Sequence, residues 1–237
     1  MKNTSILLLF SFFCLLVPQK APAGDKDKYY AKRQQMVNEQ IIARGIDSPE
    51  VIKAMRKVPR HFFIPKAKRH SAYIDSPVPI GEGQTISQPF IVALMTQLLE
   101  PAPGHRILEI GTGSGYQAAI LAELAAEVYT IEIIESLGRR AEKTLKILGY
   151  ENIVVKTGDG YKGWPEKAPF DSIIVTCAPE KIPRPLVDQL TNGGRLVLPV
   201  GRRGGVHRLI IGIKKGGKLE TRDVLPVRFV PMIKGDR

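Results

Sequence analysis

The 237-residue sequence has few of the side chains that bind metals or form disulfides. Its two cysteines, Cys14 and Cys177, are too few for a disulfide framework and do not form a CxxC metal clip. Its four histidines are scattered, and no two of them have the spacing of metal ligands on one helix. We therefore expect no metal site.

Aromatic residues are also scarce, at 7% of the chain, and they do not alternate with the basic residues. A base-stacking platform for nucleic acid requires such alternation. The net charge of +12 favours anionic partners, but the lysines and arginines are spread over several segments. We expect a solvated basic surface and no nucleic-acid partner.

No apolar run near the N-terminus is long enough to cross a membrane. The run from Ile6 to Val17 has twelve residues, whereas a spanning helix needs roughly 20. Lys2 precedes the run and a small-x-small site ending at Ala23 follows it, as in a cleaved signal peptide over residues 1–23. We expect export without a stable membrane anchor; the alternative is an apolar helix packed on the protein body.

Hydrophobic periodicity predicts helices in the first hundred residues. One covers residues 25–44, and another begins at Ser48–Pro49, where the serine is placed to cap the first turn. The stretch GEGQTISQP, residues 81–89, has neither a helical nor a strand period and predicts a polar loop. A buried helix from Pro89 to Glu100 is expected to follow it.

From residue 105 onward, short apolar runs are separated by helical segments. The runs are RILEI, EVYTIE, NIVVKT, FDSIIVT and RLVLPV. Runs that are apolar on both faces are typical of a parallel sheet covered on both sides. Two further runs are joined directly at Lys215–Gly217, which predicts a closing antiparallel hairpin.

The pattern therefore predicts an α/β fold with a doubly wound, mostly parallel sheet, N-terminal helices and a C-terminal antiparallel hairpin. No internal repeat is visible, so we expect residues 24–237 to form a single domain. Within it, residues 24–104 form a helical lead-in with the polar loop, and residues 105–237 form the cofactor-binding core.

The segment LEIGTGSGY places a glycine turn between a predicted strand and a predicted helix. Its GxGxG spacing at Gly111 and Gly113 differs from the GxGxxG of dinucleotide folds, which disfavours a pyrophosphate ligand. Glu109 lies at the end of the same strand, where its charge suits a cationic ligand better than a phosphate. The turn therefore predicts a cofactor with a positive tail.

Acids also follow the next two strands. Glu132 lies 21 residues after Gly111, the position from which an acid accepts both ribose hydroxyls. Asp159, beside Gly160, is placed either to cap a turn or to accept from an adenine amino group. Adenine, ribose and a cationic tail without phosphate together describe S-adenosyl-L-methionine.

Two further segments bear on the acceptor. The fourth strand ends in Thr176, Cys177 and a single proline, unlike the Asn/Asp-Pro-Pro-aromatic sequence of nucleobase amino-methyltransferases. We expect Cys177 to be a small buried residue and not a nucleophile. The polar loop at residues 81–89 can fold over the same sheet edge and donate hydrogen bonds to an anionic substrate; the alternative is an ordinary surface connection.

Together these segments resemble the protein-L-isoaspartate O-methyltransferase family. GEGQTISQPFIVALMTQLLE is similar to the N-terminal signature of that family. Its later motifs are matched, in order, by RILEIGTGSGYQAAILA, PFDSIIVTCAP, GGRLVLPVG and VRFVP. The resemblance extends from about Gln34 to Met232.

The resemblance implies a monomeric enzyme that transfers a methyl group from S-adenosyl-L-methionine to the α-carboxyl of L-isoaspartyl residues in damaged proteins and peptides. By position it assigns the active-site serine to Ser87, in a substrate loop of Thr85, Ile86, Ser87 and Gln88. It assigns cofactor contacts to Gly111, Gly113, Glu132 and Asp159, and we add Glu109 and Gly160 as candidates because of their positions at the strand ends. The exported-looking N-terminus is unusual for a mostly cytosolic family and leaves a cytoplasmic location as the alternative.

Three other functions are compatible with parts of the pattern. A small-molecule or RNA methyltransferase has the same cofactor module, and an exported binding protein can keep that module without turnover. A nicotinamide dehydrogenase is the least favoured, because of the GxGxG spacing and Glu109.

Overall fold

The computed structural model of the chain describes residues 26–235, and the signal peptide expected over residues 1–23 lies outside them. The described chain begins with α1 (Lys26–Met36), which continues into a π-helical turn at Val37–Ile41 and a 3-10 turn at Ile42–Arg44. The single helix predicted for this segment is thus broken into three parts.

The second helix, α2 (Pro49–Lys57), begins where the sequence predicts. Ser48 is its N-cap, and the serine Oγ accepts a hydrogen bond from the Val51 backbone N–H at 3.3 Å. Two 3-10 turns follow, at Arg60–Phe63 and Lys66–Ser71.

The polar loop is more regular than its sequence indicates. Strands β1 (Val78–Gly81) and β2 (Gln84–Ile86) form a small antiparallel hairpin. Glu82, in the turn between them, has a positive φ of 54°. The expectation that this stretch lacks strand structure is therefore wrong, because strands of four and three residues are too short to show alternation.

The remaining elements alternate as predicted. The helices are α3 (Pro89–Leu99), α4 (Tyr116–Ala122), α5 (Glu135–Ile147) and α6 (Arg184–Asp188). The strands are β3 (Arg106–Ile110), β4 (Glu127–Glu132), β5 (Ile153–Thr157), β6 (Phe170–Val175), β7 (Leu190–Val200), β8 (His207–Lys215) and β9 (Lys218–Val227).

Strands β3 to β9 form one seven-stranded sheet in the order β5-β4-β3-β6-β7-β8-β9. The pairs from β5 to β7 are parallel, and β8 and β9 add antiparallel strands at one edge. Strands β4 and β5 are added on one side of β3, and strands β6 and β7 on its other side, so the sheet has a topological switch point between β3 and β6. The predicted mostly parallel sheet and closing hairpin are confirmed.

Alternate strand residues enter two different apolar cores. On β3, Ile107 belongs to the core that also contains α3, α4, α5 and the N-terminal helices. Its neighbour Leu108 belongs to the other core, with Leu186 of α6 and Trp164. Both sheet faces are thus covered, which leaves the strand ends as the place where a ligand can reach the backbone.

Candidate active site

A cavity lies at the carboxyl ends of β3, β4 and β6, and the predicted glycine turn forms its floor. Gly111 has a φ of 96° and Gly113 a φ of 54°, both in the left-handed region. A Cβ atom on Gly111 would lie 2.6 Å from Thr176 Oγ1, so no larger residue fits there. The Thr176 hydroxyl donates to the Gly111 carbonyl oxygen at 2.6 Å and holds the turn against β6.

Glu132, the last residue of β4, lines this cavity and is buried. One carboxylate oxygen, Oε2, accepts from the Gly113 backbone N–H at 2.7 Å, and Oε1 accepts from the Ile134 N–H at 3.0 Å. The acid predicted to bind ribose therefore also fixes the glycine turn.

Glu109 on β3 is the other acid of the cavity, and it is fully buried. Thr130 Oγ1 donates to Glu109 Oε2 at 2.6 Å, and Thr112 Oγ1 in turn lies 2.6 Å from Thr130 Oγ1. Glu109 Oε1 has no hydrogen-bond partner among residues 26–235. Such an oxygen needs a donor, and a cationic group in the cavity would supply one.

Burial also changes the ionisation of Glu109. It raises the pKa of this carboxyl from 4.5 to about 8, and the nearby charge of Glu132 acts in the same direction against the bond from Thr130. At neutral pH burial therefore favours a protonated Glu109, and a cation bound beside it would favour the ionised form.

The residues that follow β5 contribute fewer contacts to the cavity than the sequence predicts. Gly160 lines the cavity, packed so closely that a Cβ there would lie 2.3 Å from Ile110 Cγ2. Asp159 caps the 3-10 turn Gly160–Lys162, and its Oδ1 accepts from the Tyr161 N–H at 2.9 Å. Of its two predicted roles the structure contains the cap; the adenine contact stays a prediction.

The substrate loop forms the opposite wall. Thr85, Ile86 and Ser87 line the cavity, whereas Gln88 lies in an adjoining groove. The Gln88 side-chain amide donates to Asp75 Oδ2 at 2.6 Å, which ties the loop to the segment before β1. The sequence prediction that this loop folds over the cofactor edge of the sheet agrees with its position.

The adjoining groove shares Thr85, Ser87, Thr176 and Val230 with the cavity. Its other walls include residues of α3 and the segment Leu225–Val230, which consists of the end of β9 and the three residues that follow it. Arg44 lies at this groove with its guanidinium 3.5 Å from the centroid of the Phe90 ring. Ser87 is therefore located between the cavity and an open groove.

The C-terminal wall was not predicted from the sequence. Residues Val230–Ile233 line the cavity. They are held beside β6 by two backbone bonds, from the Ala178 N–H to the Val230 carbonyl at 2.8 Å and from the Met232 N–H to the Ala178 carbonyl at 2.9 Å. The quoted motif VRFVP points to this segment, but nothing in its residue types indicates a ligand contact.

Cys177 also lines the cavity and is half-buried. Burial raises the pKa of its thiol above the ordinary value, and the charges of Glu132 and Glu109 add to that effect. A thiol that resists ionisation is a poor nucleophile, which agrees with that part of the expectation, whereas the expected full burial is not observed.

Two other kinds of site are absent from the described part of the chain. Among residues 26–235 no group of three or more His, Cys, Asp or Glu side chains is arranged to hold a metal ion. Within the same residues, no helix has the length and apolar character needed to cross a bilayer.

Comparison with known proteins gives a consistent result. The family model for Protein-L-isoaspartate(D-aspartate) O-methyltransferase (PCMT) matches residues 31–237. A protein-L-isoaspartate O-methyltransferase of Gloeobacter violaceus is 54% identical over 197 residues, which cover 83% of this chain and 96% of that protein. Protein-L-isoaspartate O-methyltransferase 2 of Shewanella sediminis is 50% identical over 230 residues, covering 95% and 94%.

Solved structures agree with these relatives. One, of a protein-L-isoaspartate O-methyltransferase from Plasmodium falciparum in complex with S-adenosyl-L-homocysteine, has a TM-score of 0.74 at 27% identity and covers 86% of this chain and 99% of that one. Another, named protein-L-isoaspartate O-methyltransferase, has the same TM-score at 29% identity; the match covers 84% of this chain but only 65% of that one.

The glycine turn, the two buried acids and the serine loop thus occur in a chain whose matched region includes nearly all of the described residues. The chain belongs to the protein-L-isoaspartate O-methyltransferase family.

Proposed function

We propose that this protein transfers a methyl group from S-adenosyl-L-methionine to the α-carboxyl of L-isoaspartyl residues in damaged proteins and peptides. One observation carries the proposal: the serine loop and the glycine turn line the same cavity, and Ser87 also faces the adjoining groove. A methyl donor in the cavity and a peptide in the groove would meet at Ser87. Family membership supports the same reaction.

The cavity residues fit this cofactor. Glu109 Oε1 is a buried acceptor without a partner among the described residues, as a cationic amino group requires. Glu132 is a buried carboxylate beside the glycine turn, where ribose hydroxyls can donate to it. Gly111, Gly113 and Gly160 line the same cavity and place no side chain in it. Bound S-adenosyl-L-methionine supplies an electrophilic methyl group on a sulfonium sulfur.

The acceptor needs no general base. An α-carboxyl group has a pKa of roughly 3.5, so the isoaspartyl carboxylate is already ionised at neutral pH. Its oxygen forms the new bond to the methyl carbon as the carbon–sulfur bond breaks, with the electron pair remaining on sulfur. The protein's contribution is to hold oxygen and methyl carbon in line and to exclude water, an effect worth up to about 7–11 kcal/mol in the best cases.

Ser87 is the residue assigned to the acceptor. Its hydroxyl makes no hydrogen bond within the described part of the chain, and so is available to donate to a carboxylate oxygen. That bond orients the carboxylate and does not make the serine a nucleophile. The methyl ester so formed cyclises to a succinimide, whose hydrolysis returns part of the residue to normal aspartate.

The rival functions differ in their acceptor. A small-molecule or RNA methyltransferase would use the same cavity, and a binding protein would use it without turnover. The end of β6 favours the carboxylate acceptor over a nucleobase amino group, because Thr176 and Cys177 stand where nucleobase amino-methyltransferases have an Asn/Asp-Pro-Pro-aromatic sequence.

The acceptor assignment predicts a selective defect in the Ser87→Ala variant. The wild-type protein should methylate a peptide with one isoaspartyl residue and not the same peptide with aspartate, or tRNA. The variant should lose roughly 10- to 100-fold in kcat, because the acceptor loses its orienting bond. Transfer of labelled methyl groups measures this, and titration calorimetry should give an unchanged Kd for S-adenosyl-L-homocysteine.

Ser71→Ala is the matched control, since Ser71 lies in a 3-10 turn and lines neither the cavity nor the groove. Normal turnover by Ser87→Ala on the isoaspartyl peptide would contradict the role of the serine. Cofactor binding without transfer by the wild type would favour the binding-protein alternative.

The ribose assignment predicts that Glu132→Ala weakens cofactor binding. A hydrogen bond to a charged group contributes about 1.5–3 kcal/mol, so the Kd for S-adenosyl-L-homocysteine should rise roughly 10- to 100-fold. Glu127→Ala, at the other end of β4 and exposed, should leave the Kd unchanged. Equal affinities for the two variants by calorimetry would remove Glu132 from the cofactor site.

The raised pKa of Glu109 predicts that the stability of the protein and its stabilisation by the ligand depend on pH. Between its ordinary pKa of 4.5 and its folded value of about 8, the native state keeps a proton that the unfolded state has released. The free energy of unfolding should therefore fall as pH rises through this window, and Glu109→Gln should remove that part of the slope. The ammonium group of bound S-adenosyl-L-homocysteine would favour the ionised form of Glu109, so the gain in Tm from this ligand should be larger at pH 8 than at pH 6.

The measurement is the Tm of both proteins at these two pH values, with and without the ligand. If the Tm of Glu109→Gln, and the increase in Tm caused by the ligand, depend on pH in the same way as in the wild type, then Glu109 does not titrate in the cavity.

We further propose that the protein is exported and that cleavage after Ala23 leaves residues 24–237 as one mature domain. The N-terminal charge, apolar run and small-x-small site support this location over a cytoplasmic one. N-terminal sequencing of the protein from fractionated cells should find Gly24 first in the exported fraction. An intact Met1 in the cytosolic fraction would overturn it.

A further inference from the structure

Arg60 is an arginine that the reaction as described does not use, and it is completely buried. Burial lowers its pKa to about 10, so the side chain is still a cation at neutral pH. A buried charge is costly unless it is well bonded, and an arginine that only filled space could be replaced by an apolar residue. Its contacts therefore need an explanation.

The contacts of Arg60 join three segments. Its Nε donates to the carbonyl of Ala72, directly after the 3-10 turn Lys66–Ser71, at 2.8 Å. Its Nη2 donates to the Ser87 carbonyl at 2.7 Å. Its guanidinium carbon lies 4.9 Å from the centroid of the Tyr116 ring. Tyr116 is the first residue of α4, directly after the glycine turn, and it lines the cavity.

The bond from Arg60 is the one hydrogen bond that Ser87 makes within residues 26–235. The loop on either side of the serine is held in other ways, by the hairpin before it and by Gln88 and Asp75 after it. The Arg60 guanidinium contacts both the Ser87 carbonyl and the ring of Tyr116, the residue after the glycine turn. The position of the serine relative to that turn thus depends on Arg60.

The charge of Arg60 is also uncompensated at close range. None of the ion pairs between described residues includes it, and its Nη1 has no hydrogen-bond partner there. Asp75, which interacts with it electrostatically, is itself paired with Arg44 at 2.6 Å. The positive charge therefore favours an anion beside Ser87, where a carboxylate acceptor would bind.

We propose that Arg60 is a positioning residue for methyl transfer: its buried guanidinium fixes the Ser87 backbone against the start of α4, so that the serine hydroxyl meets the acceptor carboxylate. This role rests on the proposed function. Arg60 lines neither the cavity nor the groove, and it acts on the acceptor through Ser87 and through its charge.

Two substitutions separate these effects. Arg60→Lys keeps the charge but cannot reach both carbonyls, so kcat for an isoaspartyl peptide should fall roughly 10- to 100-fold while KM changes little. Arg60→Met also removes the charge, so KM should rise as well. The Kd for S-adenosyl-L-homocysteine should stay within twofold of wild type in Arg60→Lys.

The decisive measurement is a double-mutant cycle with Ser87→Ala. If Arg60 acts through the serine, Arg60→Lys should cost little further kcat when the hydroxyl is already absent. A general loss of packing would instead lower kcat by the same factor in both backgrounds. Arg33→Lys is the matched control, because Arg33 also donates to a backbone carbonyl, that of Arg56, away from the cavity.

A wild-type kcat for Arg60→Lys, or equal losses in the two backgrounds, would overturn the positioning role. If Arg60→Met does not fold, Arg60→Lys still decides, since it retains the cation. A wild-type protein that binds the cofactor but leaves the isoaspartyl peptide unmethylated would instead overturn the proposed function, and this role with it.

Discussion

Glu109 and Glu132 lie at the carboxyl ends of neighbouring parallel strands, and their burial at one sheet edge is the constraint on which the cavity depends. Each acid is bonded to the glycine turn, directly or through one residue: the Gly113 N–H donates to Glu132, and Thr130, which donates to Glu109, is itself hydrogen-bonded to Thr112. Because the acids and the turn share these bonds, the shape of the cavity and its negative field are set together.

The two acids at the sheet edge explain why the opposite wall of the site is built from the N-terminal segments and not from the sheet. A carboxylate acceptor would be repelled by Glu132, and by Glu109 once a bound cation ionises it, unless cations or donors lie on the acceptor's side of the cavity. The N-terminal lead-in supplies them, with Arg60 behind Ser87 and Arg44 at the groove. The sheet therefore provides the environment for a cationic cofactor, and the segments that precede it provide the environment for an anionic acceptor.

The sequence predicts the elements whose hydrophobic pattern extends over enough residues to be recognised, and the residues whose place at a strand end fixes their position in the fold. The β3-to-β6 strands, the last hairpin, Glu109 and Glu132 are of this kind, because strand ends in a parallel sheet meet at one edge. The β1–β2 hairpin is too short to show alternation, and the break of the first helix at Val37 has no proline or glycine to mark it. Arg60 was missed because tertiary contacts alone distinguish it from the other scattered basic residues.

The end of β6 limits the chemistry of the site. Thr176 donates to the carbonyls of Ile110 and Gly111, and Cys177 beside it keeps its proton because burial raises the pKa of its thiol. Cys177 is then a poor nucleophile toward carbon, and Thr176 has no free proton to donate to an acceptor. The isoaspartyl α-carboxylate proposed as the acceptor is already ionised at neutral pH and needs no base. On the proposed function the site therefore requires no proton transfer, and orientation of the carboxylate by Ser87 is the part of catalysis left to the protein.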